Sequence, residues 1–307
     1  MNSRRNFLRT TALGTAAATL LPRALSAAPA AKAGAGATEF ALFTKHFIGL
    51  PPEELATTLA RCGVTAVELP VRPKSTHVEP ERVAEDLPKL AATLQKQGIS
   101  ISLLTTGINE VSKAQHTETI LRTAKALGIT RYRMNWFPYD FSKPLWSQLD
   151  ELKPRLRDLV QLSREIGVLP CYQNHSGSKN IGAPIWDMDY LMRDHRPDEL
   201  AWCFDIMHAT IEGQLSWPIE VQLARPHIAV AYFKNIRWTP SGHESAPLGE
   251  GVVNKGYVDL LRKLGWSGPA SLHIEYLKGK PGDPGYLDTA IAATQRDLAV
   301  LKSWWQA

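Results

Sequence analysis

Residues 81–104 read ERVAEDLPKLAATLQKQGISISLL, and their reading decides the fold. Positions 81–97 form an amphipathic, helix-compatible run, Gly98 follows at once, and 99–104 is a short β-rich run. A glycine just past a helical pattern supplies the left-handed residue on which helices end. The same punctuation recurs at Gly63, Gly128, Gly167 and Gly265. Outward from that stretch, strand-like segments fall near 40–46, 65–69, 131–136, 168–173, 200–206, 228–236 and 269–275. Helical patterns fill the intervals at 52–62, 113–127, 149–166, 185–194, 217–225, 254–264 and 286–303. Strands alternating with helices predict βαβ units and a parallel sheet. Eight such units in about 270 residues predict an α/β chain with a single (β/α)8 TIM barrel, a fold of about 250 residues. The doubly wound alternative wants a glycine-rich phosphate loop after its first strand, and Phe47-Ile48-Gly49-Leu50-Pro51 is not one.

The barrel accounts for residues 39–307 of the 307; what precedes it has a different composition. Residues 1–30 hold Arg4, Arg5, Arg9 and Arg23 and no acidic residue. A basic start, a short run of Ala, Thr and Leu, and small residues from Ser26 to Ala30 have the build of a signal peptide. The paired arginines before Phe7-Leu8 resemble a twin-arginine export signal, which predicts a periplasmic or otherwise exported protein. Its apolar run is too short to remain as a membrane anchor. Residues 31–38 (AKAGAGAT) read as a flexible spacer.

Removing the leader changes the charge. The whole chain is +5, from 35 Lys and Arg against 30 Asp and Glu. Without the four leader arginines, 35 − 4 = 31 basic residues face 30 acidic ones, so the trimmed chain is near +1. No cluster of Lys and Arg with interleaved aromatics remains, which argues against nucleic acid as a partner. Three cysteines, Cys62, Cys171 and Cys203, are too few and too odd for a disulfide framework and read as buried small side chains.

Barrels of this kind carry their sites at the C-terminal ends of the strands, where inward side chains share one mouth. Those ends here hold Glu68, Gln173 with His175 beyond it, Asp205 with His208 beyond it, Tyr232 with Lys234, and His273 with Glu275. Glu68 reads equally as a base or ligand and as a structural carboxylate at the barrel mouth. Lys234 reads as functional, because burying an ammonium without a partner is costly. His273 is expected to orient Glu275, Arg237 to hold a substrate group or form a surface pair, and His46 to face the mouth. Trp136, Trp186 and Trp238 offer aromatic faces to the apolar side of a sugar ring. Trp304 and Trp305 read as packing. Pro247-Leu248-Gly249-Glu250-Gly251 reads as a substrate-side loop whose glycines permit close backbone approach.

Val67-Glu68-Leu69-Pro70, Gln173-Asn174-His175-Ser176-Gly177, Phe204-Asp205-Ile206-Met207-His208, Tyr232-Phe233-Lys234-Asn235 and His273-Ile274-Glu275-Tyr276, taken together and in this order, resemble the xylose-isomerase-like TIM-barrel superfamily, and within it the sugar phosphate isomerase/epimerase group. That resemblance implies one divalent metal, Mn or Mg, held by Glu, Asp, His and Glu from strands five to eight. Asp205 and Glu275 match, and His208 matches a histidine that touches substrate. Two positions depart: Gln173 stands for the first Glu and Tyr232 for the His, leaving Asp205, Glu275 and the amide oxygen of Gln173 as the metal set, with His175 or His208 as an alternative nitrogen ligand. A two-glutamate proton exchange is thereby excluded, since Gln173 takes no proton. Glu275 remains as base, His208 or Lys234 as acid, with His175, Arg237, Trp136 and Glu68 as substrate contacts. The implied activity is a metal-assisted isomerase or epimerase of a sugar or keto-sugar, abstracting a proton α to a carbonyl. A keto-sugar lyase using one carboxylate, and a non-catalytic carbohydrate-binding barrel, are the alternatives. The expected partner is a small carbohydrate, with an oligomer possible.

Overall fold

The computed structural model describes residues 38–306 except Ser75, so the expected leader and almost all of the spacer lie outside the described residues. The barrel strands are β1 (Phe40–Phe43), β2 (Ala66–Val71), β3 (Ser100–Thr106), β4 (Arg131–Arg133), β5 (Leu169–Gln173), β6 (Ala201–Asp205), β7 (Ile228–Phe233) and, last, Ala270–Leu272. Between the last two lies an antiparallel hairpin of β8 (Asn235–Thr239) and β9 (Gly242–Ala246), which makes Ala270–Leu272 β10. All neighbours in the barrel are parallel, in the order β1-β10-β7-β6-β5-β4-β3-β2, and the β1–β2 ladder closes the circle. The α/β (β/α)8 expectation holds strand for strand.

Local chemistry explains the alternation. Gly63, Gly98, Gly128, Gly167 and Gly265 have φ between +69° and +84°, the left-handed conformation expected of them. The helix Val83–Lys96 buries Val83, Leu87, Leu90 and Leu94, a stripe at helical spacing. That stripe shares one apolar layer with Val67, Leu69 and Leu104 of β2 and β3. Fully burying each such side chain stabilises by roughly 1.5–3 kcal/mol. A second, smaller apolar cluster of Leu103, Cys171, Ala201, Cys203, Val230 and Tyr232 lies on inward strand positions. All three cysteines are free and buried, as composition suggested. Trp305 packs edge-on against Phe40 and Phe233, with centroids 5.5 and 5.3 Å apart, which gives that tryptophan the packing role expected of it.

Two elements were not expected. The helix Ile206–Gly213 starts directly off β6, because the Asp205 side chain accepts from the backbone N–H groups of Met207 and His208 and caps it. The chain after β7 does not continue as strand to 236; it breaks at Lys234 and returns as the hairpin, turning at Pro240-Ser241-Gly242 with Gly242 at φ +136°. Both elements follow strand ends, and both shape the mouth.

Candidate active site

Asp205 ends β6 with its side chain wholly buried. Asn174, one residue past β5, fixes that backbone from both sides: its Oδ1 accepts from Asp205 N at 2.7 Å and its Nδ2 donates to Asp205 O at 2.9 Å. Oδ1 of Asp205 caps the helix, which leaves Oδ2 for the mouth. There Oδ2 accepts from Gln173 Nε2 at 2.7 Å and lies 3.3 Å from Lys234 Nζ. The same ammonium lies 3.3 Å from Glu275 Oε2, so Lys234 bridges the two carboxylates. Lys45, at the end of the first strand, approaches the other oxygen of Glu275 at 3.8 Å.

The histidines gather beside this pair. His208 follows the helix cap, with Nδ1 2.8 Å from Ser176 Oγ and Nε2 3.7 Å from Asp205 Oδ2. Its Nε2 is buried and makes no hydrogen bond among the described residues. His175 packs on it with ring centroids 3.8 Å apart, and Trp136 meets His175 at 4.6 Å. The guanidinium of Arg133, at the end of β4, sits 5.1 Å from the Trp136 ring and donates to Gln173 Oε1 at 2.5 Å. Buried and unpartnered nitrogens also occur at Arg133 Nε and Trp136 Nε1.

Charge sets the protonation states. Burial pushes the Glu275 carboxyl up, but Lys234, His273 and Lys45 outweigh it and hold it at about 2. Burial first, then Lys234 and His175, press His208 well below its ordinary value. His175 is lowered by burial and by Lys234. At neutral pH the mouth therefore holds ionised Glu275 and uncharged imidazoles.

Several expectations need correction. Glu68 is not a mouth residue: its carboxylate is fully enclosed and accepts from Thr105, from Tyr232 OH and Ser271 Oγ at 2.7 Å each, and from His273 Nε2 at 3.1 Å. His273 thus holds Glu68, not Glu275. Tyr232 likewise turns its hydroxyl to Glu68. Arg237 lies on the outer hairpin, half-exposed, where it pairs with the Glu250 carboxylate and donates to the Glu250 carbonyl at 2.9 Å; it is the surface pair, away from the strand ends. His46 is directed to Thr294 of the last helix at 3.1 Å. In the 247–251 loop, a Cβ on Gly251 would meet Ile236 O at 2.3 Å, so that glycine serves packing on the hairpin.

The implied metal fails a test of fit. The amide oxygen of Gln173, its expected ligand, accepts a guanidinium proton, and its amide nitrogen faces Asp205. Lys234 lies between the two carboxylates that would share the ion. Among the described residues, no three His, Cys, Asp or Glu side chains are grouped to hold one. The expected set of Asp205, Glu275 and Gln173 for Mn or Mg is thus not a ligand set here.

The structure brings Asp205, Glu275, Lys234, His208, His175, Gln173 and Trp136 close together, and adds Arg133, Lys45, Asn174 and Ser176, which the sequence reading did not single out. Arg133 had a usable signal, a charge on an inward position of a barrel strand. Asn174 and Ser176 belong to a loop and Lys45 to the short 3-10 helix Thr44–Phe47, where strand parity gives no direction.

Known proteins share this architecture. A xylose isomerase domain protein from Alicyclobacillus acidocaldarius is 15% identical, with TM-score 0.66 over 88% of this chain and 100% of that one. The probable 3-DHS dehydratase involved in petrobactin synthesis from Bacillus anthracis is 15% identical, TM-score 0.64, over 86% and 98%. D-psicose 3-epimerase from Clostridium cellulolyticum, solved with D-tagatose, is 14% identical, TM-score 0.63, over 86% and 99%. At such identities these likenesses speak for the fold. No curated protein matches the sequence. The family model described as xylose isomerase-like TIM barrel matches residues 56–304. With that much of its length matched, and with a closed eightfold parallel barrel, the chain belongs to the xylose isomerase-like TIM-barrel family.

Proposed function

We propose that this protein is an isomerase or epimerase of a small carbohydrate, acting in exported form on a sugar with a carbonyl group. The observation that carries the reading is the Lys234 ammonium at 3.3 Å from the Glu275 carboxylate, beside the unpartnered Nε2 of His208. Glu275 takes the proton from the carbon α to the carbonyl. The electron pair left behind forms the enediolate, and its negative charge falls on the former carbonyl oxygen. Lys234, its side chain 4% exposed beside the more open Glu275, donates to that oxygen as a fixed charge. A carboxylate facing two ammonium groups is a weak base; as Lys234 turns toward the oxyanion, Glu275 strengthens.

The return of the proton needs a second carrier. A histidine held neutral accepts a proton more readily than it supplies one, so the acid role expected of His208 passes to Lys234. His208, its Nδ1 hydrogen-bonded with Ser176 Oγ at 2.8 Å, offers Nε2 to a substrate hydroxyl. The half-buried Trp136 face suits the apolar side of a sugar ring. The leader arginines, which lie outside the described residues, are what support export.

A lyase is the second reading, favoured by one feature: Gln173, tied between Arg133 and Asp205, leaves a single carboxylate base. In that case the enediolate breaks the bond to its β-hydroxyl, which leaves as water with a proton from Lys234. The trimmed protein, incubated in deuterium oxide with a panel of ketoses and followed by NMR, tests both. Deuterium at the α carbon with a rearranged sugar supports the isomerase, and a dehydrated product supports the lyase. No exchange with any carbonyl sugar sinks both and leaves a carbohydrate-binding barrel.

A further inference from the structure

We infer that Lys234 holds the place between Asp205 and Glu275 where the family resemblance puts a divalent cation, and that this site is built to work without a metal ion. The same mouth is used as in the proposed reaction, but the inference stands on the ligand geometry. A carboxylate-bound divalent ion sits about 2.0–2.2 Å from its oxygens, in the space between the carboxylates it joins. Here that space between Asp205 Oδ2 and Glu275 Oε2 holds the Lys234 ammonium, 3.3 Å from each. An ion seated between them would lie against a positive charge, and one of the two would have to leave.

The neighbouring side chains are committed in the same sense. Gln173 cannot turn its oxygen inward. Doing so would set its NH2 group against the Arg133 guanidinium and its oxygen against the Asp205 carboxylate, reversing two hydrogen bonds of 2.5 and 2.7 Å. Tyr232, at the position the resemblance gives to a histidine ligand, donates its hydroxyl to Glu68 at 2.7 Å. Negative charge is already offset: Asp205 and Glu275 contribute two negative charges, and Lys234, Lys45 and Arg133 three positive ones within the same group. The positive charge that a metal supplies to a developing oxyanion is here carried by side chains.

The test is a Mn2+ titration of the trimmed, folded wild-type protein, read by the EPR signal of free Mn2+, with elemental analysis of the protein as purified. The expected result is a substoichiometric metal content and a free-ion signal unaffected by protein at millimolar Mn2+. The unfolding midpoint should also be the same with Mn2+ and with EDTA, since a ligand that binds only the folded state raises it. Lys234→Met should then bind Mn2+ between the two exposed carboxylates and gain a Mn2+-dependent midpoint. Stoichiometric metal in the wild type, or saturable Mn2+ binding that EDTA reverses, would overturn the inference. A folded Lys234→Met that still binds no Mn2+ would overturn the assignment of the ion's place to Lys234. Should that variant not fold, the wild-type titration decides alone. Because the readout is ion binding, an inactive protein without metal counts only against the reaction, and an active one holding Mn2+ counts only against this inference.

Discussion

Two buried carboxylate clusters lie in this barrel, and they differ in one respect. Around Glu68 every oxygen is saturated: Thr105, Tyr232, Ser271 and His273 converge from β3, β7 and β10, and the carboxyl is held at about 2 despite its burial. Around Asp205 and Glu275 the negative charge is offset but polar nitrogens stay open, with His208 Nε2, Arg133 Nε and Trp136 Nε1 unpartnered among the described residues. Glu275 also keeps a side chain 27% exposed, while Glu68 shows none. A closed polar network rigidifies; one left open in a cleft is strained toward a ligand. The lower cluster is a girder and the upper one is a site.

The comparison breaks first at Glu275. Glu275→Gln should lower the rate of α-proton exchange by on the order of 10²–10⁴-fold, the usual worth of a positioned base, and leave the unfolding midpoint nearly unchanged. An exchange rate within a factor of a few of wild type would place the base elsewhere. Glu68→Ala should do the opposite. Removing one partner of a buried charge network costs about 3–5 kcal/mol, read in denaturant unfolding, while exchange per folded molecule changes little. If that variant kept full stability and lost exchange, Glu68 would belong to the chemistry.

Acid should weaken the fold through its buried histidines and low-lying carboxylates. His46 and His77 are pushed down to about 3 and about 4 by burial, so each favours its neutral form in the fold. Their stabilisation is complete above pH 6.5, the ordinary histidine value, and is lost as pH falls toward those folded values. Glu68, lowered from 4.5 to about 2, adds a further loss below pH 4.5. Glu220 runs the other way: burial and Glu212 raise it to about 8, so its stabilisation is present below pH 4.5 and fades as pH climbs to 8. Unfolding midpoints measured from pH 4 to 9 should therefore fall toward acid, and Glu220→Gln should gain stability over wild type at pH 8 but not at pH 4. A flat profile for both proteins would remove the basis for this assignment.

The smallest effect is expected at Arg237. Its pair with Glu250 is solvent-exposed, and such pairs contribute about 0–1 kcal/mol. Arg237→Ala should change neither exchange nor KM by more than a small factor. A large rise in KM would return Arg237 to the mouth.

Nearly all of the fold was legible because it is local. Five helices run into a glycine of positive φ, at Gly63, Gly98, Gly128, Gly167 and Gly265, and the sequence announces each of those stops. The site was legible only in part. Strand parity put Asp205, Glu275, Lys234 and Gln173 at one mouth, since parity depends on neighbours along the chain. It could not tell that Glu68 is saturated, because the groups that saturate it come from 37, 164, 203 and 205 residues away. Nor could it tell that Arg237 leaves the mouth, because the hairpin that carries it away starts only after a break in an apolar run. The metal expectation failed for a similar reason: Gln173 remained a possible ligand until Arg133, from another strand, claimed its oxygen.

The most direct measurement is solvent deuterium exchange into a ketose by the trimmed protein in EDTA, with Glu275→Gln run beside it. The expected result is deuterium at the carbon α to the carbonyl, at an EDTA-independent rate, and none with the variant. Exchange that stops in EDTA and returns with Mn2+, or that proceeds equally in Glu275→Gln, would contradict it.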